Sequence, residues 1–198
     1  MYQTISSSGL HTVAIKNDGN IVAIGDNSTG QCDFDNWIDI ISIVAAKSSF
    51  KGGYTVGLKS DGTVVATGDN YDGKCDVDNW SDIVSIDANW SNTMGLKSDG
   101  TVVVIGDNRY GQTNTNNWTD IIDIACGGLV TYGLKSDGTV VATGINTDGE
   151  CDVEEWTDIV ELSAEFRKVY GLKSDGTLVS TGWTDKVSFE SIILMKKT

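Results

Sequence analysis

The sequence of 198 residues contains no proline and a single histidine, and its 14 Lys and Arg are outnumbered two to one by 28 Asp and Glu. Each shortage excludes something. Without proline, the chain makes its turns with glycine, of which there are 23. With one histidine, His11, a hydrolytic triad lacks its usual base, and a zinc site of clustered Cys and His is not available. A formal charge of −14 repels phosphate backbones, so nucleic acid is not an expected partner. No run of apolar residues approaches the 18 that a membrane-spanning helix needs, and MYQTISSSGLHT has neither the basic nor the apolar region of a secretory signal. These absences lead to an expectation of no membrane insertion and of a cytoplasmic site of synthesis.

The heptapeptide GLKSDGT stands at 57–63 and returns unchanged at 95–101, 133–139 and 171–177, with a looser copy, AIKNDGN, at 14–20. The Asp-Gly pairs begin at Asp18, Asp61, Asp99, Asp137 and Asp175, spaced by 43 residues once and by 38 thereafter, and the five extra residues fall in AAKSSFKGGY. Tryptophans 37, 80, 118 and 156 follow the same spacing, 43 residues once and 38 thereafter. A fixed period of this length marks a chain of stacked structural units.

Each unit reads as three short strands rich in Val, Ile and Thr: DIVSI-like (39–43, 82–86, 120–124, 158–162), TVGLK-like, and TVVATG-like. No 3.6-residue period survives. Asp-Gly between the second and third strands predicts a hairpin with a type I′ turn, whose two central residues both take positive φ. Residues 2–5 align with 83–86, so the chain is expected to enter inside a first strand. Residues 183–198 form a partial terminal unit with Trp183 on the repeat tryptophan. The whole of 1–198 is then a single repeat domain of five full units and a fraction. Short antiparallel sheets bury both faces only against neighbours, which predicts an all-β fold, a β-propeller of three- to four-stranded blades, ahead of a straight β-solenoid.

The string GLHTVAIKNDGNIVAIGDNSTGQ at 9–31, recurring in each unit, resembles the repeat of the regulator of chromosome condensation family of β-propellers. In its short, Asp-rich form it is similar to bacterial members such as β-lactamase inhibitory protein II. The resemblance implies a propeller, and it puts His11 on the family's repeat histidine, where the other units carry Tyr54, Asn92, Val130 and Lys168. It also implies two activities to weigh: inhibition of an enzyme, and guanine-nucleotide exchange on chromatin. The chain's acidity speaks against the second. The family commonly closes a ring with seven blades, more than this chain spells.

No constellation for catalysis, metal or cofactor stands out, and the chain is expected not to be an enzyme. DNYDGKCDVDN fails the EF-hand template, and its Asp and Asn read as Asx-turns. Cys32, Cys75 and Cys151 occupy one repeat position, a whole unit apart, and read as reduced, half-buried thiols. What varies between units is more informative. Trp90 alone among tryptophans is out of register, in the connection between first and second strands. The parity of a three-stranded meander puts those connections at the same end as the start of each long link. Two sets of irregular residues are thereby predicted to converge on one ligand-binding face: Phe50, Tyr54, Trp90, Leu129, Phe166 and Arg167, and Tyr71, Arg109 and Tyr110. The expected function is recognition or structure, with a protein or cell-surface polymer as partner. The unfinished terminal unit further suggests a homo-oligomer or a multi-subunit assembly, such as a phage or phage-tail-like particle released without a signal peptide.

Overall fold

A computed structural model describes residues 5–48 and 52–182. They form five three-stranded antiparallel sheets, each a simple meander in chain order. The first holds β1 (Ile5–Ser7), β2 (His11–Ile15) and β3 (Ile21–Gly25), and the second β4 (Ile40–Lys47), β5 (Gly53–Lys59) and β6 (Val64–Gly68). The third holds β7 (Ile83–Asn89), β8 (Asn92–Lys97) and β9 (Val102–Gly106), the fourth β10 (Ile121–Cys126), β11 (Val130–Lys135) and β12 (Val140–Gly144). The fifth holds β13 (Ile159–Glu165), β14 (Lys168–Lys173) and β15 (Leu178–Gly182). These are the blades of a β-propeller, as the repeat predicted. The partial unit at 183–198 lies outside the described residues, as does all of segment 2–5 except Ile5. That residue pairs with Ala14 just as Ile86 pairs with Gly95, so the expected register holds there.

First strands of consecutive blades lie against one another, β1 on β4, β4 on β7, β7 on β10 and β10 on β13. They therefore form the inner edge of the array, with third strands outermost. The cores sit between blades rather than inside them, because a three-stranded sheet has two apolar faces and no interior. Between the second and third blades, Val44, Tyr54, Val56, Leu58 and Val64 meet Val77 and Trp80 of the link and Ile83, Ile86 and Ala88 beyond it. The same construction recurs between the third and fourth blades and between the fourth and fifth.

Two corrections concern the heptapeptide turn and the first strands. The turn is not type I′: Gly62 has φ +82, but Asp61 is absent from the non-glycine residues with positive φ. Gly62 N–H donates to Lys59 O at 3.0 Å and Lys59 N–H to Thr63 O at 2.9 Å, a three-residue loop that ends on a left-handed glycine. Asp61 Oδ1 accepts both Thr63 N–H (2.9 Å) and Thr63 O–H (2.7 Å), which explains why Asp, Gly and Thr travel together. The first strands also begin one residue later than predicted. Asp39, Asp82, Asp120 and Asp158 all have φ near +60 (58 to 62), a conformation no strand continues through.

The opening glycine of the heptapeptide has its own task. A Cβ on Gly57, Gly95, Gly133 or Gly171 would come within 2.7 to 2.9 Å of Cζ3 of Trp37, Trp80, Trp118 or Trp156. Each repeat glycine is thus the seat on which the link tryptophan lies. The heptapeptide also joins blades, since Ile83, Ile121 and Ile159 N–H donate to the turn carbonyls of Gly62, Gly100 and Gly138 in the preceding blade at 3.0, 3.0 and 3.1 Å.

Candidate functional site

Backbone bonds fix which loops share an end. Asp26, Asp69, Asp107 and Ile145 N–H, at the start of each link, donate to Leu10, Gly53, Ser91 and Leu129 O, in the connection between first and second strands, at 2.9 to 3.1 Å. The described members of the two variable sets do lie at one end of the blades, opposite the Asp-Gly turns. Each link loop is buckled by its asparagine: Asn27, Asn70, Asn108 and Asn146 Oδ1 accept the N–H five residues on, at 2.7 to 3.0 Å. Asp26, Asp69 and Asp107 accept the N–H two residues on, the expected Asx-turns. Among the described residues no group of three or more His, Cys, Asp or Glu is placed to hold a metal ion.

Sequence reasoning overlooked the residue just after the link glycine. Gln31, Lys74, Gln112 and Glu150 occupy that position, and all four side chains are wholly enclosed. Each holds its loop from below. Gln31 Oε1 accepts from Thr29 N–H, Gln112 Oε1 from Tyr110 N–H and Glu150 Oε2 from Asp148 N–H, at 2.8 to 2.9 Å. The buried charges are compensated. Lys74 Nζ meets Asp69 at 3.0 Å and Ser48 Oγ at 3.1 Å, and stands 5.4 Å from the Tyr54 ring centre. Burial pushes Asp69 up, but hydrogen bonds from Ser48 and Lys74 and the ammonium charge hold its carboxyl below the ordinary value. Glu150 pairs with Arg167, whose guanidinium also bonds Asp148 at 2.7 Å and Thr147 Oγ1 at 2.5 Å. Adjacent variation of Gln, Lys and Glu at a position flanked by invariant Gly was the sequence signal for this layer.

The predicted binding residues separate into three groups. Phe50 lies outside the described residues. Tyr54 is corrected: at 0% exposure it belongs to the core, its hydroxyl in reach of Asn89 O (2.8 Å) and Asn92 O (2.7 Å) of the next blade, and burial raises its pKa well above the usual tyrosine value. Arg167 is mostly covered and occupied by its ion pairs, and Leu129 is half-buried. The others reach the surface. Tyr71 and Tyr110 are 54% and 49% exposed on neighbouring links, and Arg109, beside Tyr110 in the chain, chelates Asp107 through Nε and Nη2 at 2.8 to 3.0 Å.

Trp90 and Phe166 come from the third and fifth blades, yet their rings lie 4.9 Å apart at 50°. They meet over the short Gly127-Gly128 connection of the fourth blade, where a Cβ on Gly128 would stand 3.7 Å from Trp90 Cβ. Lys47 of the second blade lies with Nζ 5.2 Å from the Trp90 ring centre. Phe166 remains 36% exposed in spite of the contact, and holds φ +51, a strained conformation for a bulky residue.

His11 is buried, with Nε2 2.9 Å from Thr55 Oγ1 of the second blade and Nδ1 3.1 Å from Ser8 Oγ. Burial lowers its pKa, so it joins two blades as a neutral ring. Cys32, Cys75 and Cys151 are free and half-buried as expected, each Sγ on a link carbonyl at 3.4 to 3.6 Å; Cys126 is free and buried. Burial pushes the Cys75 thiol up to about 12 and the Cys151 thiol up to about 11, so both are protonated at neutral pH.

The model of the Regulator of chromosome condensation (RCC1) repeat matches residues 3–31, 83–112 and 121–150. No curated protein sequence matches the chain. Among solved structures, yeast RCC1 (Prp20) bound to Kap60 superposes with a TM-score of 0.71 at 19% identity, over 91% of this chain and 56% of that one. The ectodomain of the Physcomitrella patens receptor kinase CR4 gives 0.73 at 14% identity, covering 91% and 53%. The C-terminal domain of gp131 from bacteriophage phiKZ gives 0.59 at 12% identity, covering 91% and 66%. The chain spans little more than half the length of the first two, and the likeness is one of fold.

Proposed function

We propose that the chain is a non-catalytic recognition module that binds a protein partner through the loop face. The observation that carries this reading is the aromatic contact of Trp90 with Phe166. Residues from two blades that are not neighbours meet there, flanked by Lys47, on a rigid scaffold and still partly open to solvent. Partly exposed Trp, Phe, Tyr and Arg are the residues around which protein interfaces concentrate their affinity. The loop face is also where the units differ most, while the opposite end repeats the same turn.

Proteins of this fold are known as binders: yeast RCC1 has been crystallised with Kap60, and its binding to Gsp1p and histones has been studied. For this chain a net charge of −14 disfavours nucleic acid and suits a basic protein surface. The likeness to the phiKZ gp131 domain supports a role as subunit of a phage or phage-tail-like particle, with which the protein would be released. Inhibition of an enzyme, as in β-lactamase inhibitory protein II, would use the same face.

The test is capture of partners by the intact protein and by a Trp90→Ala, Phe166→Ala double variant whose circular dichroism matches the parent. Loss of the captured partner by tenfold or more is the expected result. Undiminished capture would sink the loop-face reading.

A further inference from the structure

Four equivalent link loops sit side by side, and comparing them isolates an oddity in the third. In the first loop the Asp26 carboxylate is satisfied without any cation: it accepts Ser28 N–H at 3.1 Å, Ser28 O–H at 2.9 Å and the amide Nε2 of buried Gln31 at 2.9 Å. The third loop has the same buried glutamine, Gln112, anchored in the same way through its Oε1. Its Nε2 is fully buried and has no hydrogen-bond partner. The acceptor it would use, Asp107, is near enough for Gln112 to help hold the carboxyl below its ordinary value, yet too far or too poorly aligned for a formed bond, and each carboxylate oxygen already accepts two N–H groups of Arg109. An enclosed amide left without an acceptor is costly.

The guanidinium that displaces it is itself hardly confined. Arg109 is 70% exposed, Asp107 only 4%, and an ion pair with one member in water contributes little. Tyr110, next to Arg109 in the chain, and Tyr71, on the neighbouring link, are both about half exposed. Were Arg109 to leave, Asp107 would keep the Arg109 backbone N–H, at 3.0 Å, and gain the Gln112 amide, reproducing the arrangement around Asp26.

We propose that Arg109, with Tyr71 and Tyr110, is a seat for a carboxylate group of a protein partner, and that Arg109 rests on Asp107 until that carboxylate draws it away and Gln112 takes its place. A guanidinium recognises a carboxylate through two parallel N–H bonds, the geometry it already makes with Asp107. Because the chain is strongly acidic, the seat takes one Glu or Asp side chain within an interface rather than an extended polyanion. This assignment rests on the loop face as the recognition surface and names the chemistry of one point on it.

The probe is acetyl-Gly-Glu-Gly amide, with acetyl-Gly-Gln-Gly amide as its neutral match, titrated at pH 6 into protein labelled with nitrogen-15. The expected result is a saturable shift, in the millimolar range, of both the Arg109 Nε–H and the Gln112 side-chain amide signals with the glutamate peptide only. In Arg109→Gln the Gln112 amide should already stand at the shifted position and respond to neither peptide. An unmoved Gln112 amide in both proteins, or equal response to the two peptides, would overturn the seat. Capture lost in the Trp90→Ala, Phe166→Ala variant alongside a silent Arg109 would overturn the seat while leaving the loop-face reading in place.

Discussion

Glycine at position 95 and its equivalents decides the packing of the array more than any large side chain does. The indole of Trp80 lies where a Cβ would be, at 2.7 Å from Cζ3 and 2.9 Å from Cε3, and Ile83 Cδ1 closes the other side at 3.0 Å. Gly95→Ala therefore forces the indole off its seat, an overpacking that costs about 1–3 kcal/mol. Urea unfolding should show a lower midpoint with an unchanged slope, and a tryptophan emission shift should accompany it. The tryptophan register was legible from the 38-residue count, because equal spacing survives whatever the tertiary environment. That glycine is the tryptophan's partner was not legible, since the two lie fifteen residues apart and sequence spacing carries no direction across a link. Tyr54 was misread for a related reason: a variable position in an irregular connection looks like surface until the next blade is placed over it.

At the scale of the element, the Asp-Gly turn serves both its own hairpin and the next blade. Gly19 and Gly100 have nearly the same φ, +82 and +79, but a Cβ on Gly19 meets nothing within 4 Å, whereas one on Gly100 stands 3.2 Å from Asp120 N. Alanine at either position accepts the left-handed penalty of about 1–2 kcal/mol. Gly100→Ala should cost more than Gly19→Ala, because the crowding falls on the segment that donates Ile121 N–H to Gly100 O. Paired thermal melts of the two variants measure the difference, and equal losses would show that the bond between blades adds nothing. The hairpin itself was legible from Asp-Gly between apolar strands. Its turn type was not, because Ser-Asp-Gly also fits a three-residue loop in which only the glycine is left-handed, and Asp61 is better used accepting from Thr63 than adopting positive φ.

For the whole molecule, stability follows from contacts between neighbouring blades, and some of these depend on pH. At the inner edge Asp87 accepts Cys126 N–H of the next blade at 2.7 Å, as Ser6 Oγ accepts Ala45 N–H at 3.0 Å two interfaces earlier. Burial raises Asp87 to about 6, and burial likewise raises Asp123. A raised carboxyl means that the folded state holds its proton longer than the unfolded chain, so stability falls as pH climbs from about 4 to above 6. The turn aspartates Asp18, Asp61, Asp99, Asp137 and Asp175 are lowered by hydrogen bonds within their turns, and their contribution is lost as pH drops below the ordinary carboxyl range. The urea midpoint should accordingly be higher near pH 5 than at pH 7 and fall again toward pH 3. Asp87→Ser, which copies Ser6, should flatten the decline between pH 5 and 7.

The repeat period, the three strands of each unit and the end on which the variable loops gather were all determined by the sequence alone. They depend on local preferences, on glycine and Asp-Gly chemistry, and on the parity of a meander, none of which needs the blades to be placed. Only the tertiary structure decided which variable residues face outward. Tyr54 disappears beneath the third blade, Arg167 is tied to Glu150, and Trp90 finds Phe166 two blades away, because side-chain fate in a stacked array is set by what the adjoining unit puts against it.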